Sequence, residues 1–157
     1  LQTSDIRSDQ YGIRTKVFVQ GKPIKFEIVL EGRIALANPR KKDSIAGVAT
    51  LTRLDMAASK LLANSDRGLD MGMHCRDVID LAMLNLSKTE FFEAATKSKA
   101  AYGEAILIDL SKVIDRLGEA NGLLERCMKA MDISVPRALL WQNISKVKSF
   151  IADGMPR

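Results

Sequence analysis

The charged residues of greatest chemical interest lie in three short segments of the sequence. Glu27 falls within a run of alternating apolar and polar residues, and Lys60 lies off the apolar stripe of a helical pattern. Arg76, Asp77 and Asp80 follow in a third segment, where the two aspartates are one helical turn apart. Carboxylates hold divalent cations, and lysine or arginine neutralises phosphate, so these residue types suit chemistry on a phosphorylated substrate.

Several of these residues also have an ordinary structural interpretation. Glu27 can be the solvent-facing residue of an edge strand, paired with Lys25 or with Lys16 across the strands. Arg76 and Asp80, at i and i+4, can form a helix ion pair that contributes only about 0.3–0.5 kcal/mol when exposed. Spacing alone leaves these alternatives open, and Lys60 can likewise be a plain surface lysine.

The first element that must position these residues is a β-hairpin. Residues 11–19 and 23–30 are rich in β-branched and aromatic types, and Gln20, Gly21 and Lys22 between them form a turn signal. Apolar and polar residues alternate in the second run, so one face of the hairpin is apolar. We expect that face to join a larger sheet or to be covered by helices, since a lone hairpin is marginally stable.

The remainder of the chain is predicted to be mainly helical. Residues 32–46 contain the basic run Arg40–Lys42 and have the composition of a loop. Thr52 followed by Asp55 is an N-cap signature, and the apolar spacing that follows predicts a helix to about Asn64. Capping residues and apolar periodicity predict further helices over residues 74–86, 87–101, 104–117, 121–131 and 136–151.

These elements predict an α+β protein. A β-sheet region over residues 1–52 precedes an α-helical region over residues 53–157. The net charge of +5 and the pI near 9.3 make RNA, DNA or nucleotides plausible partners. Neither a membrane span nor a signal sequence is expected, and the two cysteines, Cys75 and Cys127, are predicted to be buried thiols without a partner spacing for a disulfide or a metal. We therefore expect a cytoplasmic location.

The most distinctive sequence motif is Ala-Ser-Lys-Leu-Leu-Ala-Asn-Ser-Asp-Arg at residues 58–67, followed by Arg-Asp-Val-Ile-Asp-Leu-Ala at residues 76–82. It resembles the abortive-infection toxins AbiEii and AbiGii and related nucleotidyltransferase-like proteins. In that family a Lys-Leu-Leu/Ala helix precedes an Arg-Asp-x-x-Asp helix. Residues 7–14 and 24–29 are also similar to one branch of the family, and the resemblance covers residues 5–145.

This resemblance implies a polymerase-β-type enzyme that transfers a nucleoside monophosphate from a nucleoside triphosphate to an acceptor, often the 3′ end of tRNA. It implies membership of a toxin–antitoxin or abortive-infection system, with Mg²⁺ as cofactor and a cognate antitoxin as partner. Glu27 would be the third carboxylate and a metal ligand, and Lys60 would act on the phosphates. The nucleotide-binding residues that it implies are Lys60, Arg67, Arg76, Asp77 and Asp80.

The sequence departs from the family pattern at one important point. Nucleotidyltransferases of this type begin with Gly-Ser or Gly-Gly, followed by a paired Asp-x-Asp that binds the metals. Here Asp5 and Asp9 are four positions apart and no Gly-Ser precedes them. We therefore expect that the chain does not catalyse nucleotidyl transfer alone. The alternative is a catalytically inactive homologue, or a helical interaction module that binds protein or nucleic acid.

Overall fold

The computed structural model of the chain describes residues 2–73, 75–119 and 122–154. It forms two compact units, residues 1–35 and residues 36–157. Small antiparallel sheets and six α-helices make up the described residues, so the predicted α+β class is confirmed. No helix in these three ranges is both long and apolar enough to cross a membrane.

The first unit is a four-stranded antiparallel sheet of β1 (Gln2–Thr3), β2 (Arg7–Asp9), β3 (Gly12–Val19) and β4 (Lys22–Val29). Strand β3 pairs along its whole length with β4, and the turn at Gln20 and Gly21 joins them, which confirms the predicted hairpin. The other edge of β3 pairs with β1 and β2. Gly12 begins β3 at a φ of 146°, and a Cβ there would lie 2.0 Å from the carbonyl oxygen of Ile28.

The register of the hairpin separates an apolar face from a charged face. Ile24 lies opposite Val17, and Ile28 lies opposite Ile13, with Phe26 between them on β4. Arg14 and Glu27 are directly opposite each other and therefore point to the other face. The hairpin joins a larger sheet, as expected, but the apolar side chains of β4 stay about half exposed, at 52% for Ile24 and 48% for Phe26.

The second unit begins with a short hairpin and continues as a helical bundle. The hairpin consists of β5 (Ser44–Ile45) and β6 (Val48–Ala49). The helices are α1 (Arg53–Arg67), α2 (Arg76–Met83), α3 (Lys88–Tyr102), α4 (Ala105–Glu119), α5 (Leu123–Ala130) and α6 (Arg137–Gly154). Their buried core includes Leu61, Leu62, Ile79, Phe91, Ile106, Leu110, Ile114, Leu140 and Ile144.

Local capping signals explain where two of these helices begin. The Thr52 hydroxyl accepts a hydrogen bond from the backbone N–H of Asp55 at 3.1 Å, as the N-cap signature predicts. At α3, Ser87 and Glu90 form a capping box in which each side chain accepts from the other's backbone N–H. The starts predicted at residues 74 and 121 lie outside the described residues.

Candidate functional site

Helices α1 and α2 bring four of the sequence-predicted site residues together. Lys60 and Arg67 are seven positions apart, so they lie on the same face of α1. Asp77 and Asp80 lie three positions apart on α2, and α1 and α2 pack against each other. Two cations from one helix therefore meet two carboxylates from the next, and we call this group the α1–α2 charge cluster.

Asp77 is the buried centre of the α1–α2 charge cluster. Its side chain is only 3% exposed, and it accepts two hydrogen bonds from Arg67, with Nε 2.8 Å from Oδ2 and Nη2 3.1 Å from Oδ1. Lys60 Nζ lies 3.3 Å from Oδ1. Burial alone would raise the pKa of Asp77, but the hydrogen bonds and charge of Arg67, followed by those of Lys60, hold that pKa below its usual value. Asp77 is therefore ionised at neutral pH.

Lys60 connects this buried centre to the protein surface. Its ammonium group also pairs with Asp80, whose side chain is half exposed. Both residues line a cavity of about 260 Å³, together with the apolar side chains of Met56, Met83 and Leu84. A solute in this cavity can therefore approach Lys60, whereas two hydrogen bonds hold the guanidinium of Arg67 on Asp77.

The structure places Arg76 outside the α1–α2 charge cluster. Its side chain is exposed at the first position of α2. The i to i+4 ion pair with Asp80, which was one interpretation of the sequence, does not form, because Asp80 pairs with Lys60 from α1 instead. Arg76 can take part in binding only by attracting an anion from solvent.

Glu27 lies in the first unit, on the charged face of β4. Its Oε2 is 2.8 Å from Lys25 Nζ, and its Oε1 is 3.3 Å from Nε of Arg14, which also pairs with Asp9 at 2.7 Å. The hydrogen bond from Lys25 is the largest effect on Glu27 and lowers its pKa. The structure thus contains the ion pair with Lys25 that the ordinary interpretation of Glu27 predicts.

A magnesium ion does not fit the described residues taken by themselves. No three side chains of the Asp, Glu, His or Cys type come together there in a way that could hold a metal ion. Both carboxylate oxygens of Glu27 already face cations. Glu27 can supply one oxygen ligand at most.

The two cysteines lie closer together than the sequence suggests. Cys75 and Cys127 are both free and buried, as predicted, and their thiols lie near enough to affect each other's pKa. Burial is the main effect on both thiols: it raises the pKa of Cys75 to about 11 and raises the pKa of Cys127. No spacing rule places these residues together, because they are 52 positions apart in the sequence.

We expect both thiols to react slowly with a disulfide reagent such as DTNB at neutral pH, since only the thiolate attacks. Unfolded cysteines ionise at about pH 8.5. Because the folded pKa values are raised, this contribution to stability is complete below that pH and is lost as the pH rises towards the folded values. Denaturant titrations at pH 7 and pH 9.5 measure the loss. A Cys75→Ala/Cys127→Ala chain should lose less stability between pH 7 and pH 9.5 than the parent chain. Rapid reaction of the folded parent chain with DTNB at neutral pH would contradict the prediction.

No protein-family model, curated protein or solved structure matches this chain.

Proposed function

We propose that this chain is the distal part of a nucleotidyltransferase-like protein of the AbiEii and AbiGii type. In this proposal it belongs to a toxin–antitoxin or abortive-infection system and acts in the cytoplasm on an RNA, such as tRNA, or on a protein acceptor. The observation that supports it is the α1–α2 charge cluster. The resemblance implies that the residues of this cluster bind nucleotide. They are up to 20 positions apart in the sequence, and they meet on two adjacent helices.

The arrangement of the charge cluster suits the binding of a triphosphate. The buried pair of Arg67 and Asp77 fixes the relative position of α1 and α2 and orients Lys60. The pair between Lys60 and Asp80 is partly exposed, and such pairs contribute only about 0–1 kcal/mol, so a phosphate can replace Asp80 as the partner of Lys60. Lys60 then neutralises charge on the phosphates, which is the main requirement of phosphoryl-transfer chemistry.

The described residues do not meet the metal requirement of the proposed reaction by themselves. Mg²⁺ would neutralise the triphosphate when bound. The paired carboxylates that complete such a site are absent from the described residues. The proposed activity therefore requires a partner segment that carries them, and the chain alone is expected to bind nucleotide without turnover.

The second candidate is an inactive homologue that binds nucleic acid. Arg40, Lys41 and Lys42 are exposed in the loop before β5. Arg40 and Lys42 line a cavity of about 370 Å³ together with Arg53. Exposed cations such as Arg40 and Lys42 attract phosphodiesters. Binding of RNA that weakens steeply with salt, combined with the absence of nucleotide binding, would favour this candidate over the first.

Replacing Lys60 by alanine tests the proposed function. A charge-assisted hydrogen bond contributes about 1.5–3 kcal/mol, so the Kd for a nucleoside triphosphate with Mg²⁺ should rise by roughly 10- to 100-fold. Fluorescence titration with a labelled triphosphate measures it. Lys99→Ala is a matched control, because Lys99 is also 28% exposed and also pairs with an exposed carboxylate, that of Glu104. An unchanged Kd for Lys60→Ala, or an equal loss in both variants, would remove Lys60 from the site.

A further inference from the structure

Strand β4 forms an outer edge of the four-stranded sheet. It pairs with β3 on one side, and no other strand in the described part of the chain pairs with it. An unpaired strand edge presents a row of backbone N–H and C=O groups to which a strand of another chain can add. β4 is eight residues long, and its apolar side chains are about half exposed. This edge is therefore long enough, and apolar enough, to serve as an interface.

The hydrogen bonds of β3 show which backbone groups of β4 face this free edge. The backbone C=O of Lys16 accepts from the N–H of Ser4 at 2.9 Å, and the N–H of Lys16 donates to the Ser4 hydroxyl at 3.0 Å. Lys16 therefore bonds away from β4. Lys25 lies directly opposite Lys16, and bonded and non-bonded pairs alternate along antiparallel strands. The N–H and C=O groups of Lys25, and of Glu27 two residues further along, therefore point to the free edge.

The charges along this edge are complementary to themselves. Edge strands often carry a lysine, whose charge opposes pairing with another strand. In β4, however, Lys25 and Glu27 lie one position before and one position after Phe26. Antiparallel pairing of two copies of β4 about Phe26 places each Lys25 directly opposite the partner's Glu27. Registers centred on Lys25 or on Glu27 instead bring two like charges together, which is destabilising.

The backbone and the apolar side chains favour the same register. The outward-facing backbone groups of Lys25 meet those of the partner's Glu27, so these two residues form a hydrogen-bonded pair. Phe26 meets the partner's Phe26 in a non-hydrogen-bonded pair, in which opposite side chains lie closest. Ile24 and Ile28 are on the same face as Phe26, and Ile24 of each copy lies opposite the partner's Ile28. Half-exposed apolar side chains thus gain apolar neighbours.

We propose that this chain forms a symmetric dimer in which β4 adds to β4 of a second copy, with Phe26 at the two-fold axis. Residues 23–29 of each copy form the interface, which is isologous because both copies contribute the same residues. A strand-to-strand interface of this length is small, so the dissociation constant of the dimer should be on the order of 10 µM. The inference concerns assembly and is independent of the nucleotide site proposed on α1 and α2.

Exchanging the charges on the edge tests the dimer and its register. Sedimentation velocity of the whole chain between about 1 µM and about 200 µM should show a monomer–dimer equilibrium. Lys25→Glu sets carboxylates opposite each other and Glu27→Lys sets ammonium groups opposite each other, so each variant alone should dimerise at least about tenfold more weakly. An equal mixture of the two variants should form a heterodimer, because every carboxylate of one chain then faces an ammonium group of the other.

Lys16→Glu is the matched control for Lys25→Glu. Lys16 is exposed directly opposite Lys25 on the same face, but it lies on β3, away from the free edge. This variant makes the same change in net charge and should keep the dissociation constant of the parent dimer within a factor of about three.

Several outcomes would overturn the dimer. A chain that stays monomeric over the whole range leaves the edge to a strand of another protein, and a dimer that persists in both charge variants has its interface elsewhere. An equal loss in Lys16→Glu, or a mixture of the two charge variants that stays monomeric, would exclude the register. Circular dichroism checks that each variant folds. Should a charge variant fail to fold, Lys25→Pro decides: it removes an N–H that faces the edge, keeps the bonds to β3, and should abolish the dimer.

Discussion

Replacing Arg67 by alanine is expected to lower the free energy of unfolding by about 3 kcal/mol. Removing one partner of a buried ion pair leaves the other charge buried without compensation, which costs about 3–5 kcal/mol. Asp77 is 3% exposed and loses two hydrogen bonds in this variant. The lower end of the range applies because Arg67 itself is 35% exposed and Lys60 still contacts Asp77.

Urea denaturation at pH 7, followed by circular dichroism, measures this change. For a chain of this length it corresponds to a fall in Tm of roughly 6–12 °C. Arg76→Ala is the control, because Arg76 is exposed at the start of α2 and its removal should change stability by no more than about 0.5 kcal/mol. Equal stabilities of the two variants would show that the Arg67 pair does not hold α1 and α2 together.

The Arg67→Lys variant tests whether the geometry of the pair matters beyond its charge. Lysine keeps the positive charge but cannot donate two parallel hydrogen bonds to one carboxylate. We expect it to recover only part of the stability lost in Arg67→Ala. Full recovery would mean that the bidentate bond to Asp77 contributes nothing beyond its charge.

Local signals in the sequence were sufficient to predict the β3–β4 hairpin and the helices, but not the short strands β1, β2 and β5. The alternation in residues 23–30 and the turn at Gln20 and Gly21 depend only on neighbouring residues, and both features are present in the sheet. The capping box at Ser87 is likewise contained within four residues. The same alternation could not predict the exposure of the apolar face, because that depends on which other elements pack against it.

The charge cluster shows where a local interpretation fails. A spacing of i to i+4 allows Arg76 and Asp80 to pair within α2, but it contains no information about neighbouring helices. Lys60, 20 positions earlier, takes Asp80 because α1 packs against α2. Helical periodicity does predict that Lys60 and Arg67 share a face of α1. It cannot predict that this face meets Asp77.

Other features had weaker signals in the sequence or none. Asn64 is a polar residue on the buried face of α1. The helical spacing of the neighbouring apolar residues could have predicted this buried position from the sequence. The contact between Cys75 and Cys127 had no such signal, since it joins residues 52 positions apart.

Asp55 provides the second large prediction, because its role extends well beyond the N-cap signature. Its side chain is fully buried, and it accepts hydrogen bonds at 2.8 Å from the Ala37 backbone N–H and from the Thr52 hydroxyl. It also pairs with Lys97 on α3. One carboxylate thus connects the segment before α1 to two helices. Asp55→Ala should lower the free energy of unfolding by about 3–5 kcal/mol, because it leaves Lys97 and a backbone donor without their partner.

The same carboxylate should make the protein sensitive to acid. Burial alone would raise the pKa of Asp55, but the bonds from Lys97, Ala37 and Thr52 outweigh it and hold that pKa below its usual value. An unfolded aspartate has a pKa of about 3.9, so this contribution is complete above that pH and is lost as the pH falls through the lower, folded value. Urea titrations from pH 7 to pH 2.5 should show a smaller acid-induced loss in Asp55→Ala than in the parent chain. Glu93→Ala, at an exposed position of α3, should keep the parent's pH dependence, and a parallel loss in all three proteins would show that Asp55 is not the group responsible.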